Sequence, residues 1–241
     1  MNAARRTLDI PALLNARDLG GHPTTDGSRT RYGSLIRSDD LSQLDAGGIR
    51  ALADHGVETV VDLRWAEELE LHPNPVPRDL TTIRYRHVSL LAGTANEWSA
   101  LVEGYEKETW KCAVLEHVRA ELRNVLSVIA ESTPGPLLFH CMAGKDRTGI
   151  IAALLLVLAD VEPESIARDY ALSAEQLREP YLARYASSSK PADILEHLRC
   201  PEAGVHNMLA YLEERGGIRQ YLADIGLSEA EIAQLRARLR D

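Results

Sequence analysis

Cysteine is scarce in this sequence, and long apolar segments are missing. The three cysteines among 241 residues form an odd, sparse set, which argues against a disulfide framework and favours a reducing compartment. The longest apolar run, Ile150–Ala159, is too short to cross a bilayer and indicates a buried helix. No apolar segment follows Arg5 and Arg6, so we expect no signal peptide. We therefore predict a cytoplasmic protein without stable membrane insertion, while export without a signal peptide stays open.

Basic residues are outnumbered by acidic ones. The 27 Lys and Arg residues against 36 Asp and Glu residues leave a formal net charge of −9. This balance argues against a nucleic-acid partner, and an anionic ligand would have to be held by local positive potential. The 8 histidines lack a metal-ligand spacing such as His-x-x-x-His, so we predict no metal and no other cofactor.

Strand-like and helix-like segments alternate in the first half of the chain. This order predicts an α/β fold with a mainly parallel central sheet flanked by helices. The predicted short strands are Ser34–Arg37, Val57–Leu63, Ile83–Leu90 and Leu137–His140. Apolar residues spaced by three or four positions from Val114 to Ile129 predict one amphipathic helix, and Asp146–Ala159 predicts an apolar helix.

The second half of the chain, from Pro163 onward, predicts helices alone. Capping-box patterns begin at Ser173 and at Ser228, and Ser42-x-x-Asp45 indicates a helix start in the first half. We expect a single domain over residues 1–241, in which residues 162–241 form a helical cap or packing layer. The oligomeric state stays open.

The segment richest in chemistry is the stretch His140–Gly149, which has the sequence HCMAGKDRTG. It lies between a predicted strand and a predicted helix. If the loop between Cys141 and Arg147 curls, its successive backbone N–H groups form an anion-binding nest, and the helix N-terminus adds positive potential. Arg147 can bind two oxygens of a tetrahedral dianion with its planar guanidinium. The residues expected to line this nest are Met142, Ala143, Gly144, Lys145 and Thr148.

The same positive field favours the thiolate of Cys141, which makes it an activated nucleophile. In this interpretation Cys141 attacks phosphorus, and water then hydrolyses the phosphocysteine. Thr148 is expected to donate a hydrogen bond to the sulfur. His140 is expected to orient the loop.

Cys-x5-Arg followed by Thr-Gly resembles the signature loop of the cysteine-dependent protein tyrosine phosphatases. The full form at residues 140–149 is similar to the bacterial, secreted-effector-like and lipid-active branch of that family. Further similar segments are Asn15–Gly21, Ile36–Ser38, Val60–Arg64 and Tyr221–Ser228, so the resemblance covers most of the chain. It implies a phosphotyrosine phosphatase with a cysteine-phosphatase-like fold, and phosphoserine, phosphothreonine and phosphoinositides as further substrates.

The general acid departs from the better-known pattern of the family, in which an aspartate on an upstream mobile loop protonates the leaving oxygen. No aspartate occurs between Asp79 and Asp146 in this chain. Asp146 is the first candidate, because myotubularin-like and Sac-like lipid phosphatases also place an aspartate just before the loop arginine. Asp62 is the second candidate. The third group comprises Glu97, Glu103 and Glu106.

Several charged residues have two interpretations. Lys145 either contacts a second phosphate, as on an inositol ring, or only strengthens the field of the loop. Arg17 is expected to tie the N-terminal segment down near the loop, and Asp62 with Arg64 to form an ion pair at a strand end. Cys112 and Cys200 are expected to be structural.

Two other classes of function compete with the phosphatase hypothesis. A rhodanese-type sulfurtransferase also uses a cysteine in an anion-binding loop, but the Arg147-Thr148-Gly149 ending disfavours it. A non-catalytic module that binds a phosphorylated ligand would not need both Cys141 and Arg147. The expected partner is therefore a phosphorylated protein or a phosphoinositide that serves as substrate.

Overall fold

The centre of the protein is a five-stranded sheet, seen in a computed structural model that describes residues 6–76, 83–91 and 95–240. Its strands are β1 (Arg17–Asp18), β2 (Leu35–Ser38), β3 (Thr59–Asp62), β4 (Arg84–His87) and β5 (Leu137–His140). The spatial order is β1-β2-β5-β3-β4; β1 runs antiparallel to β2, and every other pair is parallel. The prediction of a mainly parallel sheet is therefore confirmed.

Strands β2, β5 and β3 end at the same edge of the sheet. Ser38 pairs with His140, and His140 pairs with Asp62, so the three last residues lie side by side. All residues of these three strands are buried, as expected for parallel strands that are covered on both faces. The segments that follow the strands consequently leave the sheet together, and one of them begins at Cys141.

Eleven helices surround the sheet in the part of the chain that the structure describes. They are α1 (Ala46–Asp54), α2 (Ala66–Leu71), α3 (Ala95–Val102), α4 (Trp110–His117), α5 (Arg119–Glu131), α6 (Asp146–Leu158), α7 (Pro163–Tyr185), α8 (Pro191–Leu198), α9 (Ala203–Glu213), α10 (Gly217–Asp224) and α11 (Glu229–Leu239). No helix within the described ranges is long and apolar enough to cross a bilayer.

Helix α6 is the central helix, and eleven of its thirteen residues are buried. One apolar cluster continues from Phe139 of β5 through Leu155 of α6 to Leu235 of α11. Helices α10 and α11 both contact α6, and α11 also contacts α5. The helical C-terminal half thus packs on the same side chains that cover the sheet.

Two helix predictions were wrong in their boundaries. The apolar pattern from Val114 to Ile129 spans two helices, α4 and α5, which are separated at Val118. Val118 is itself buried, so the apolar pattern continues through the break between the two helices. The spacing of apolar residues therefore does not reveal the break. The N-cap of the first helix is Asp45 and not Ser42, because the Asp45 carboxylate accepts hydrogen bonds from the amides of Gly47 and Gly48.

The capping boxes had opposite outcomes. At Ser228 the box is present and begins α11, as predicted. Ser173 instead lies inside the 23-residue helix α7, where its buried hydroxyl accepts a hydrogen bond from Arg17 at 2.9 Å. A tertiary partner thus accounts for this serine, which the local pattern assigned to a helix end.

Candidate active site

The loop from Cys141 to Lys145 connects β5 to α6 and lies at the carboxyl edge of the sheet. Four successive carbonyl groups of this loop accept hydrogen bonds from surrounding residues. Cys141 O accepts from the His140 ring at 3.2 Å, and Met142 O accepts from the amide of Asp40 at 2.9 Å. Ala143 O and Gly144 O both accept from the Asn15 side-chain amide, at 2.9 and 3.1 Å.

This pattern decides where the loop amides point. In a trans peptide the N–H lies opposite the carbonyl of the preceding residue. The amides of Met142, Ala143, Gly144 and Lys145 therefore face away from the surrounding residues and toward the interior of the loop. Within the described part of the chain, no backbone acceptor takes a hydrogen bond from these four amides. Such a row of N–H groups is an anion-binding nest at a helix N-terminus.

Gly144 is required by the shape of the loop. Its φ angle is +63°, which side-chain-bearing residues rarely adopt. A Cβ atom at this position would lie 2.4 Å from the carbonyl oxygen of Ser38. The absence of a side chain lets the loop rest directly on the end of β2.

A buried ionic cluster holds the loop from behind. Asp169 of α7 binds Arg37 at 2.7 Å and Arg17 at 3.0 Å, and both guanidinium groups are almost completely buried. Arg37 donates to Gly144 O at 2.7 Å, while Arg17 hydrogen-bonds the side chain of Asn15. Despite its burial, the pKa of Asp169 lies far below its ordinary value, because Arg17 and Arg37 stabilise the carboxylate. Arg17 thus binds the side chain that itself donates to the loop carbonyls of Ala143 and Gly144.

His22 belongs to the same cluster and is held as a neutral ring. Its Nε2 accepts a hydrogen bond from Arg6, so its Nδ1 carries the proton and donates to Ser165 Oγ at 2.9 Å. The pKa of His22 is lowered to about 4, chiefly by burial; Asp169 raises it and the arginines of the cluster lower it.

Arg147 has a partner that sequence reasoning missed. Its Nη1 and Nη2 atoms donate to the two carboxylate oxygens of Glu68 at 2.5 and 2.7 Å, and its guanidinium lies 4.4 Å from the centre of the Trp65 ring. Glu68 also accepts from the amide of Trp65, which begins α2. Burial lowers the pKa of Arg147, but Glu68 and Cys141 raise it above its ordinary value. The one available signal was an acidic residue shortly after the strand that ends at Asp62.

Asp62 is held in a network that leaves it no proton to give. Arg64 binds its carboxylate with Nε and Nη2, and the hydroxyl of Tyr85 donates to it at 2.7 Å. Burial raises the pKa of Asp62, but Arg64 and the Tyr85 hydroxyl outweigh it, so the pKa lies below its ordinary value. The geometry agrees with a strand-end ion pair. His140 is completely buried, and burial lowers its pKa, so its ring is neutral beside Asp62.

Asp146, the first candidate acid, lies in the first turn of α6 with 41% of its side chain exposed. The hydroxyl of Tyr170 donates to its carboxylate at 3.3 Å, and the Lys145 ammonium lies 3.4 Å away. Lys145 is buried, and its Nζ donates to the carbonyl of His197 at 2.5 Å. The structure therefore directs the Lys145 ammonium toward α8, and only its backbone amide faces the loop interior.

The remaining predicted residues fall into two groups. Cys141 and Thr148 are buried at the loop, and Thr148 Oγ1 finds no hydrogen-bond partner in the described part of the chain. Cys112 and Cys200 are free thiols whose pKa values are raised chiefly by burial. The glutamates of the third group occupy the α3–α4 region, and each of them is exposed: Glu97, Glu103 and Glu106.

Comparison with known proteins places this arrangement in a family. The model described as "Tyrosine phosphatase family" matches residues 8–241, and the chain belongs to that family. A tyrosine-protein phosphatase of Nostoc commune is 36% identical over 219 residues, which cover 86% of this chain and 74% of the relative. The triple specificity protein phosphatase PtpB of Mycobacterium tuberculosis is 26% identical over 273 residues, which cover 95% and 97%. The protein is therefore an enzyme, a cysteine-based phosphatase.

Solved structures give matches of low structural similarity. TpbA of P. aeruginosa is 16% identical with a TM-score of 0.33, and the match covers 69% of this chain and 89% of TpbA. The catalytic domain of the PP-IP phosphatase Siw14 of S. cerevisiae is 15% identical with a TM-score of 0.37, covering 82% and 93%.

The Glu68–Arg147 pair generates a first prediction. We expect Glu68→Gln to lower kcat/KM for an aryl phosphate by about tenfold or more, because the neutral amide loses two charge-assisted hydrogen bonds that orient the guanidinium. The measurement is steady-state hydrolysis of p-nitrophenyl phosphate. Glu67→Gln, an exposed change on the same helix, is the matched control. Equal activity of both variants would contradict an orienting role for Glu68.

The His22 pKa generates a second prediction, on stability. The unfolded chain binds a proton on His22 near pH 6.5, whereas the folded chain binds it only near pH 4. The free energy of unfolding should therefore fall as the pH drops through this window, by about 2–4 kcal/mol from this residue. Urea unfolding between pH 4 and 7 measures it.

In His22→Gln this part of the pH dependence should disappear, although the variant is less stable at neutral pH. His55→Gln changes an exposed histidine and should keep the slope of the unaltered protein. The same slope in both variants would show that His22 is not the titrating group.

Proposed function

We propose that the enzyme hydrolyses phosphotyrosine, with phosphoserine, phosphothreonine and phosphoinositides as further substrates. The observation that carries this proposal is the set of four loop carbonyls bound from outside, which leaves four amides for a phosphate dianion. The name of the M. tuberculosis relative, a triple specificity protein phosphatase, supports the wider substrate range.

In the first step, the Cys141 thiolate attacks phosphorus. The new S–P bond forms while the P–O bond to the leaving oxygen breaks, and the negative charge on the equatorial oxygens is held by the loop amides and Arg147. Arg147 shares its guanidinium between the substrate and Glu68, so its plane is set before the substrate arrives.

Asp146 acts as general acid in the same step. Its carboxyl proton passes to the leaving oxygen, which departs as a neutral phenol or alcohol. In the second step water attacks phosphorus, its proton returns to the Asp146 carboxylate, and the S–P bond breaks to release phosphate and the thiolate. The exposure of Asp146 supports this role, because the leaving group must be reached from the open side of the loop.

We further propose that residues 162–241 form a packing layer of the same domain, since they share an apolar cluster with the sheet. A cytoplasmic location agrees with three cysteines that are all free.

The nucleophile is tested with Cys141→Ser. We expect hydrolysis of a phosphotyrosine peptide to fall below detection while the variant still binds the peptide, because the serine hydroxyl lacks the reactivity of a thiolate. Phosphate release and peptide binding by fluorescence anisotropy are the measurements. Cys112→Ser removes a thiol of α4, outside the loop, and should retain activity. Substantial turnover by Cys141→Ser would overturn the mechanism.

The acid is tested with leaving groups of different basicity. Asp146→Asn should slow an alkyl phosphate by about a hundredfold and an activated aryl phosphate much less, because only poor leaving groups need the proton. Single-turnover rates for a series of substituted phenyl phosphates measure the dependence. A uniform reduction across the series would assign Asp146 a positioning role through Tyr170 and Lys145.

A further inference from the structure

Two cavities lie on either side of Tyr181, a residue of α7 beside the catalytic loop. The first has a volume of about 270 Å³ and reaches Met142, the residue that follows Cys141. The second has a volume of about 220 Å³ and is bordered by His197, whose carbonyl binds Lys145. The first cavity therefore reaches the loop at Met142, and the second borders a residue that binds the Lys145 side chain.

Aromatic rings form the wall between these cavities. Tyr181 and Tyr185 line both of them, and their ring centres are 5.5 Å apart with an interplanar angle of 59°. Tyr181 packs on the same small apolar cluster, around Leu177 and Ile194, that Ala143 of the loop contacts. Burial raises the pKa of Tyr181 well above its ordinary value, so its phenol is neutral and does not repel an anionic substrate.

The charged side chains around the first cavity differ in whether they already have a partner. Asp39 accepts hydrogen bonds from the amides of Leu14 and Asn15, and Asp40 is bound by Arg64 at 2.6 Å. Both carboxylates are therefore already satisfied.

Arg184 is exposed at the cavity, 5.9 Å from the centre of the Tyr181 ring, and no carboxylate pairs with it within the described ranges.

We propose that this surface selects phosphotyrosine in an acidic peptide: the aryl ring packs against Tyr181, and Arg184 binds an acidic side chain next to the phosphotyrosine. The proposal rests on the proposed function and narrows its substrate class. An aromatic wall adds packing energy for an aryl phosphate that a shorter alkyl phosphate cannot obtain. Arg184 supplies the charge complementarity to a neighbouring carboxylate.

The composition of the first cavity favours a peptide over a lipid headgroup. A phosphoinositide with several phosphates would need several cations, whereas Arg184 is the one lysine or arginine among the described residues that lines this cavity. The ammonium of Lys145 is bound to the carbonyl of His197.

The charge preference is tested with matched phosphotyrosine peptides that carry either glutamate or glutamine beside the phosphotyrosine. The unaltered enzyme should have a kcat/KM about two- to fivefold higher for the glutamate peptide, as expected for an exposed charge pair. Arg184→Ala should make the two peptides equal, and Arg184→Glu should reverse the order. In about 1 M NaCl the preference should disappear, because the pair is exposed.

Arg178→Ala is the matched control. Arg178 is an exposed arginine of the same helix, lies outside both cavities and pairs with Glu179. This variant should keep the full preference for the glutamate peptide. Hydrolysis of p-nitrophenyl phosphate should also be unchanged in Arg178→Ala.

The aromatic wall is tested with Tyr181→Leu and Tyr181→Phe. Tyr181→Leu should lower kcat/KM for the phosphotyrosine peptide by about three- to tenfold, and for a phosphoserine peptide of the same sequence much less. Tyr181→Phe keeps the ring and should restore the value. A thermal unfolding curve close to that of the unaltered protein shows that the leucine variant is folded.

Either of two results with Arg184→Ala would overturn the proposal. One is an equal effect of Arg184→Ala on the glutamate and glutamine peptides. The other is faster turnover of phosphatidylinositol phosphate vesicles than of either peptide, lost in Arg184→Ala. If the unaltered enzyme does not hydrolyse p-nitrophenyl phosphate at all, the proposed function itself fails. If it does so without distinguishing the peptides, only the present inference fails.

Discussion

The contact between Asp169 and two buried arginines is the constraint on which the rest of the structure depends. Arg37 and Arg17 could not remain buried and charged without this carboxylate, and they in turn hold Gly144 and Asn15. The carbonyls of Ala143 and Gly144 are drawn outward by Asn15 and Arg37, so the amides that follow them turn inward. With Arg6 included, the cluster has a net positive charge. In a chain with a net charge of −9 it supplies local positive potential behind the anion site.

Helix α7 connects the geometry of the loop with the surface around it. Asp169, on the first half of the helix, holds the loop from behind, whereas Tyr181 and Arg184, near its end, border the first cavity beside the loop. Helix α2 brings Glu68 to Arg147. Cys141 follows the last residue of a buried strand, where the sheet restricts its motion. The groups that surround it come from elements far apart in sequence, and packing on the common core keeps them in register.

Sequence reasoning succeeded where the signal was local. The strands β2, β3 and β5 and helix α6 follow from short apolar segments, and the loop at residues 141–147 follows from its own spacing of cysteine, glycine and arginine. It failed where a distant partner decided the outcome. Ser173 resembles a helix cap but binds Arg17 across the protein, and Val118 separates two helices while it stays in the core. Nothing near Arg147 in sequence indicated Glu68, which lies 79 positions away.

The sequence by itself determined the class of the protein: an α/β sheet, a cysteine and an arginine bracketing an anion loop, and membership of the tyrosine phosphatase family. These features depend on periodicity and on residues a few positions apart, which a single chain displays directly. Only the tertiary structure decided that Lys145 points to α8 and that Asp146 stays exposed. The role of an ionisable side chain depends on its burial and its partners, and folding alone brings those partners within hydrogen-bond distance.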